Sequence, residues 1–267
     1  MNYRYSKQLV AFIIVGVCLN VALSVHAQEY PDQGPYKEYY EGTEQVQLEV
    51  EYSGGERNGA FRQYFPSGKL MAVGSYKNGK YHGPYKEYYE NGTLRFDQDF
   101  VNGALDGRSM EYYENENPKS EEHYRTDALD GTCTYYFENG NIHYVSKYRS
   151  GDLDGVSKEY DEDGVLRSEV NYKGDEINGL AKEFDEQGRE KTLSMYVGGV
   201  KQGESRMFFE SGQVEWILNF KDDVLDGAIK RYSKDGLLDR ECVYSEGVEK
   251  SCQEHANEAA QPVVVAR

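Results

Sequence analysis

A 24-residue unit repeats through this chain, and it limits the possible folds more than any local motif does. The unit is clearest at 83–106, GPYKEYYENGTLRFDQDFVNGALD, and Gly107 starts it again. Units open at Gly34, Gly59, Gly83, Gly107, Gly131, Gly155, Gly179, Gly203 and Gly227, with a first spacing of 25 residues and 24 thereafter. A fixed period of this size marks an array in which each unit buries its apolar side chains against its neighbours.

The sixth residue is aromatic in every unit, from Tyr39 to Tyr232. The eighteenth is aromatic from Tyr76 to Tyr244, and Tyr52 fills that role in the longer first unit. The tenth is usually Gly, with Glu116 an exception, and units often close on Asp. Asn91-Gly92 and Asn139-Gly140 lie between aromatic or aliphatic runs, a hairpin signal because both residues accept positive φ. A second Gly-bearing turn follows, as at Asn78-Gly79 and Ser150-Gly151. Each unit therefore reads strand, tight turn, strand, loop, and Tyr, Phe, Thr and Val suit a half-buried pleated surface. The glycines fall at turns on this reading, and no helical spacing with caps follows residue 30. The expected fold is all-β: nine stacked antiparallel hairpins in one elongated, twisted, ribbon-like sheet. Eighteen strands at ~4.8 Å each would span on the order of 85 Å before twisting.

GPYKEYYENGTLRFDQDFVNGALDG resembles the MORN-type repeat, in its bacterial second variant: two aromatics, a Gly-x-Leu step, an aromatic, then Asn-Gly-x-x-x-Gly. The likeness spans about residues 34–250. It implies a repeat scaffold, and similar proteins are often labelled antitoxin components of toxin–antitoxin systems. The fourth unit departs from the pattern at Glu116 and Pro118, and the seventh carries Glu190 where others have Leu, Ile or Val. Those units are expected to fray locally or to make a different contact.

Residues 1–27 read as a secretory signal peptide: Arg4 and Lys7, an apolar run from Leu9 to Leu19, then Val25-His26-Ala27 as a small-residue cleavage site. The alternative is a retained membrane anchor. Residues 28–33 form a polar lead-in, 34–252 the array, and 253–267 a mobile tail. Cleavage near Ala27 implies an exported product, periplasmic, secreted or envelope-associated. The net charge is −17, and loss of Arg4 and Lys7 leaves −19. That balance repels nucleic acid and anionic membrane surfaces.

Cys242 and Cys252 flank a turn at Glu246-Gly247, so a disulfide there would staple the end of the array, as export permits. Cys133 is left as a small buried residue. Trp216, in the apolar stretch Val214–Phe220, reads as a well-buried strand residue.

Catalytic and ligand motifs are not evident. His82, His123, His143 and His255 each stand alone, and no nucleophile elbow or phosphate-binding glycine loop occurs. Asp152 and Asp154, or Asp222, Asp223 and Asp226, match no calcium loop and suit turns. Glu38, Glu87, Glu111, Glu159 and Glu183 recur at the fifth position and read as a solvated strand face. The expectation is a non-enzymatic protein with no cofactor and no metal, binding an unknown protein partner. Its candidate surface is the exposed seventh-position aromatics Tyr40, Phe65, Tyr89, Tyr113, Phe137 and Phe209. Glycan or cell-wall binding is the alternative, weakened by the single Trp, and an antitoxin-like role follows from the resemblance. Mass spectrometry of natively expressed protein is expected to find an N-terminus near Gln28. An intact Met1 would favour the cytosolic, antitoxin-like reading.

Overall fold

The computed structural model describes residues 30–255. The proposed signal segment, and the tail beyond His255, lie outside the described residues. Among those described, every regular element is a strand, and each strand pairs antiparallel with its neighbours in sequence. The result is one open meander of 23 strand segments. Eighteen are the two strands of each unit, as Gly83–Tyr88 and Leu94–Val101 in the third. Four first strands carry an extra two-residue piece ahead of a kink, such as Lys80–Tyr81. The remaining segment, Val248–Glu254, closes the array and takes in two residues expected to belong to the tail.

The kink explains the unit-opening glycine, which lies within or at the start of a strand rather than in a turn. Gly59, Gly107, Gly131 and Gly155 have φ of 126°, 125°, 135° and 133°. A β-carbon on Gly131 would sit 3.0 Å from that of His123, and on Gly107 3.2 Å from that of Asp99. These positions face the seventeenth residue of the preceding unit. Glycine is required both for the backbone angle and for this close approach.

The two kinds of turn are the reverse of the sequence expectation. The turn between units has both central residues at positive φ: Asn78 and Gly79 at 51° and 74°, Asn102 and Gly103 at 53° and 89°. That is the tight two-residue hairpin matched to strand twist. The turn inside a unit has only its glycine at positive φ, 98° at Gly92, whose N–H donates to the Tyr89 carbonyl at 2.9 Å. Asn91 contributes its side chain instead, accepting the Thr93 N–H at 2.8 Å.

A register shift recurs after the fifth residue of each unit. Glu87 faces Phe96 and Tyr88 faces Leu94, so Arg95 is an extra residue bulged from the second strand. The equivalent residues include Lys119, His143, Arg167 and Lys191.

The core runs along one face. Many of its buried residues come from the third position, which the sequence pattern does not single out: Phe61 and Tyr85, then Ser109, Cys133, Ser157 and Ser205. Leu48, Val50, Tyr52, Ala72 and Phe100 complete an aromatic and aliphatic cluster in the first three units, with Tyr76 and Tyr81 packed against it. Phe61 lies 4.9 Å from the Tyr76 ring and 5.6 Å from that of Tyr81. Burial of such a ring is worth about 2–3 kcal/mol. From the fourth to the eighth unit the third-position row turns to small side chains, and Ile229 restores a large one in the ninth. Cys133 is fully buried, and burial pushes its thiol up to about 11, which keeps it an inert thiol at neutral pH. Trp216 is only half-buried, with the Arg231 guanidinium 5.7 Å over its ring.

The fourth unit is not frayed. Glu116 takes the glycine's place at φ 70°, with its N–H on the Tyr113 carbonyl at 3.0 Å, and Pro118 begins a regular strand. A left-handed non-glycine residue costs ~1–2 kcal/mol. Glu116→Gly is therefore expected to raise stability by about 1 kcal/mol in a urea titration. Gly131→Ala is expected to lower it by more than ~2 kcal/mol, since angle and contact both fail.

Candidate functional site

The turns inside the units line one long edge of the sheet, termed here the hairpin edge. Neighbouring units are stitched together along it. The Tyr40 hydroxyl donates to the Tyr64 carbonyl at 2.6 Å, Tyr89 to Tyr112 at 2.8 Å, and Tyr113 to Tyr136 at 2.8 Å. Asn side chains reach across as well: Asn115 and Asn117 both donate to the Glu138 carbonyl, and Asn139 and Asn141 to that of Glu162.

All six sequence-predicted surface residues lie on this edge. They are half-buried rather than exposed: Tyr40, Phe65, Tyr89, Tyr113, Phe137 and Phe209. A seventh-position side chain folds back over its own hairpin, and the tyrosine hydroxyls are spent on the next unit.

In the third to fifth units the bulge residue covers the seventh-position ring. Arg95 lies 5.6 Å over Tyr89 and pairs with Glu87 at 2.8 Å. Lys119 lies 5.9 Å over Tyr113 and pairs with Glu111 at 2.9 Å, and His143 stacks 4.1 Å from Phe137. Of the fifth-position glutamates, Glu38, Glu87 and Glu111 are half-buried ion-pair partners, Glu159 is half-buried and accepts from the Ser168 hydroxyl at 3.4 Å, and only Glu183 lies on a solvated face. Each contact is worth ~0.5–1 kcal/mol at such exposure.

The aromatic column is interrupted in the sixth and seventh units, where Asp161 and Asp185 occupy the seventh position. Arg167 pairs with Asp161 at 2.5 Å, and Arg189 pairs with Asp185 at 2.7 Å. Each aspartate caps its own turn: Asp161 accepts from Val165 and Asp163, Asp185 from Arg189 and Gln187. Beside Asp185 lies an open cleft of about 550 Å³ whose lining includes Arg167, Phe184, Phe208 and Phe209 together with Glu186, Lys191 and Glu210. Glu190, the departure in the seventh unit, lies in the cleft wall and pairs with Lys182 at 3.5 Å. The unit makes a different contact there. Sequence reasoning missed the cleft, although its signal was present: the seventh-position aromatics stop at Phe137 and resume at Phe209.

The remaining predicted sites are elsewhere. Cys242 and Cys252 face each other across the last two strands and are disulfide-bonded, with S–S 1.99 Å. Among the described residues, those two cysteines and Glu249 form the one group of three potential metal ligands, and the shared bond takes both sulfurs out of ligation. Asp222 and Asp223 sit in a turn between units at φ 52° and 65°, where Asp223 accepts the Lys201 N–H at 2.7 Å. That is a turn role, as the spacing implied.

The MORN repeat variant profile matches residues 57–78, 81–102, 105–125, 129–149, 153–173 and 201–222. The seventh unit, which holds Asp185 and Glu190, is skipped between the last two matches. A search of the curated proteins found no match. Among solved structures, a chain of "Crystal Structure of TcdB2-TccC3-Cdc42" aligns at 11% identity and a TM-score of 0.21, over 76% of this chain. The alignment spans 13% of that chain's length, and the likeness carries no argument about fold or function.

The Val165 N–H, opposed by slight desolvation and joined by Arg167, holds the Asp161 carboxyl below the usual carboxylate range. A depressed pKa stabilises the fold fully above the ordinary aspartate value, and the contribution is lost as pH falls through the lower folded value. NMR titration is expected to show the Asp161 carboxyl and the Val165 amide moving together, with a midpoint below that of an unstructured aspartate.

Proposed function

The chain is a MORN-type repeat protein, and on that premise we propose that it is an exported, non-enzymatic scaffold that holds a protein partner at the hairpin-edge cleft of its sixth to eighth units. One observation carries the reading. The column of packed aromatics is broken at Asp161 and Asp185, and beside Asp185 an opening lined by three phenylalanines and several charged side chains interrupts the edge. Partially covered aromatic floors beside charged rims are typical of interface anchor points. The family is in general a non-catalytic repeat family, which supports a binding role over an enzymatic one.

Two features support export. The N-terminal sequence has the layout of a secretory signal, and the array ends in a disulfide, a bond that persists in oxidising compartments. A sugar platform is less well supported, because the single Trp is covered by Arg231.

Cross-linking of tagged, natively expressed protein followed by mass spectrometry tests the proposal. One recurrent protein partner is expected, cross-linked through peptides containing 184–191 or 208–210. In Asp185→Tyr, which restores at this position the ring that other units carry, the cross-link is expected to fall at least tenfold with the circular dichroism spectrum unchanged. Recovery of wall material without protein would replace this reading with glycan binding.

A further inference from the structure

We propose that the cleft receives a tyrosine side chain of the partner, which takes the place that a seventh-position ring fills in other units. The inference rests on the scaffold reading and names the group that the scaffold holds.

The molecule supplies its own comparison. In the third and fourth units three side chains close the hairpin together: the seventh-position tyrosine, the bulge cation over its ring, and the fifth-position glutamate paired with that cation. All of them are half-buried. The sixth unit closes with Asp161 and Arg167 instead. The seventh unit closes in neither way. Asp185 stands at the ring position, but its carboxylate is held within its own turn, by the Arg189 guanidinium at 2.7 Å and by the Gln187 and Arg189 N–H groups. The bulge residue, Lys191, is left over. It is exposed, and among the described residues its ammonium has neither a ring nor a carboxylate as partner. Glu183, at the fifth position, is exposed as well rather than paired with it.

Asp185 and Lys191 both line the cleft, together with Phe184, Phe208 and Phe209. The cleft therefore sets a cation that lacks its ring beside an apolar lining. The sixth residue is Tyr in the other seven units and Phe only at Phe184 and Phe208, so these two bring no hydroxyl into the cleft. An aromatic side chain from outside would meet the Lys191 ammonium over its face and the three rings at its edges. A basic side chain would be repelled by Lys191, and an aliphatic one offers the ammonium no π face.

One acceptor selects tyrosine among the aromatics. Where a unit has its own tyrosine, the hydroxyl donates to the sixth-residue carbonyl of the next unit, as Tyr89 does to Tyr112 and Tyr113 to Tyr136, both at 2.8 Å. The matching carbonyl for the seventh unit is that of Phe208, and among the described residues no side chain donates to it. A phenol lying in the cleft has this carbonyl to donate to, and phenylalanine forgoes the bond. A single ring anchored in a pocket with a charged rim is the usual form of an interface hot spot.

The test is an amide NMR titration of the full chain with N-acetyl-tyrosinamide, with N-acetyl-phenylalaninamide and N-acetyl-leucinamide for comparison. Saturable shifts are expected at the amides of 184–191 and 208–210. The tyrosine probe is expected to bind at least threefold tighter than the phenylalanine probe and at least tenfold tighter than the leucine probe. Asp185→Tyr, which fills the place from within, should abolish these shifts. Lys191→Gln should weaken binding at least threefold with the circular dichroism spectrum unchanged, whereas Lys173→Gln, at an exposed lysine beside a turn between units, should leave it intact. No saturable shift, equal binding of the tyrosine probe and either comparison, or full binding in Asp185→Tyr or Lys191→Gln would overturn the inference. A native partner cross-linked at the cleft through a segment without tyrosine would also overturn it, and would leave the scaffold reading standing. Failure to recover any protein partner would overturn the scaffold reading instead, while saturable tyrosine binding would still uphold the chemistry of the cleft.

Discussion

The backbone ladder between one unit's second strand and the next unit's first is the interaction on which the rest depends. A lone hairpin is at best marginally stable in water. Here every hairpin gains its second ladder from the next unit, as Phe96, Asp97 and Gln98 do from Glu111, Met110 and Ser109. That ladder holds register only because the opening glycine lets the strand kink past the seventeenth side chain of the unit before. Both long edges then repeat the same linkage in other chemistry. On the outer edge each turn N–H bonds to a carbonyl of the preceding connection, as Gly103 does to Tyr81 at 2.8 Å and Gly151 to Leu129 at 2.8 Å. On the hairpin edge tyrosine hydroxyls and asparagine amides do the work.

Much of this was legible in the sequence because it is periodic. Period, strand number and strand order follow from the spacing of the glycines and aromatics. Details that depend on a partner across the sheet did not follow. Asn91-Gly92 looks like a two-residue turn, yet the bulge at Arg95 adds the residue that converts it to a longer one. The seventh-position aromatics look exposed when the strand alternation is carried forward. In the third to fifth units the bulge turns Arg95, Lys119 or His143 onto their faces, which half-covers them. The third-position row was overlooked because it changes from Phe and Tyr to Ser and Cys, and a buried row of mixed size is invisible when only aromatics are tracked. The cleft lies beside a position where the ring is absent, and a repeat pattern draws attention to what is present.

The hairpin edge also shows how a repeat acquires individuality without losing its fold. Ring and cation at the seventh and bulge positions can be exchanged for an aspartate and arginine, as Asp161 and Arg167 show, because both pairs close the same hairpin. The strands on either side are unaffected. Variation at these places alters what the edge presents while the ladder and the kinked glycine remain.

The drift of the core from rings to serines gives the molecule a direction. The first three units bury a continuous aromatic cluster, whereas Ser146, Ser157, Ser194 and Ser205 fill the equivalent places further along. In a one-dimensional array stability is set by units and their interfaces, so the units differ in how readily they open. Assembly should nucleate at the aromatic end, and thermal opening should begin in the internal units whose face is lined by serines. The covalent clasp between Cys242 and Cys252 lies beyond that serine-lined stretch, in the terminal unit where Ile229 and Cys242 are buried again. A cross-link closing a loop of this size restricts the open chain by ~3 kcal/mol. The molecule therefore behaves as a zipper with a loose middle, held by rings at one end and by a covalent pin at the other.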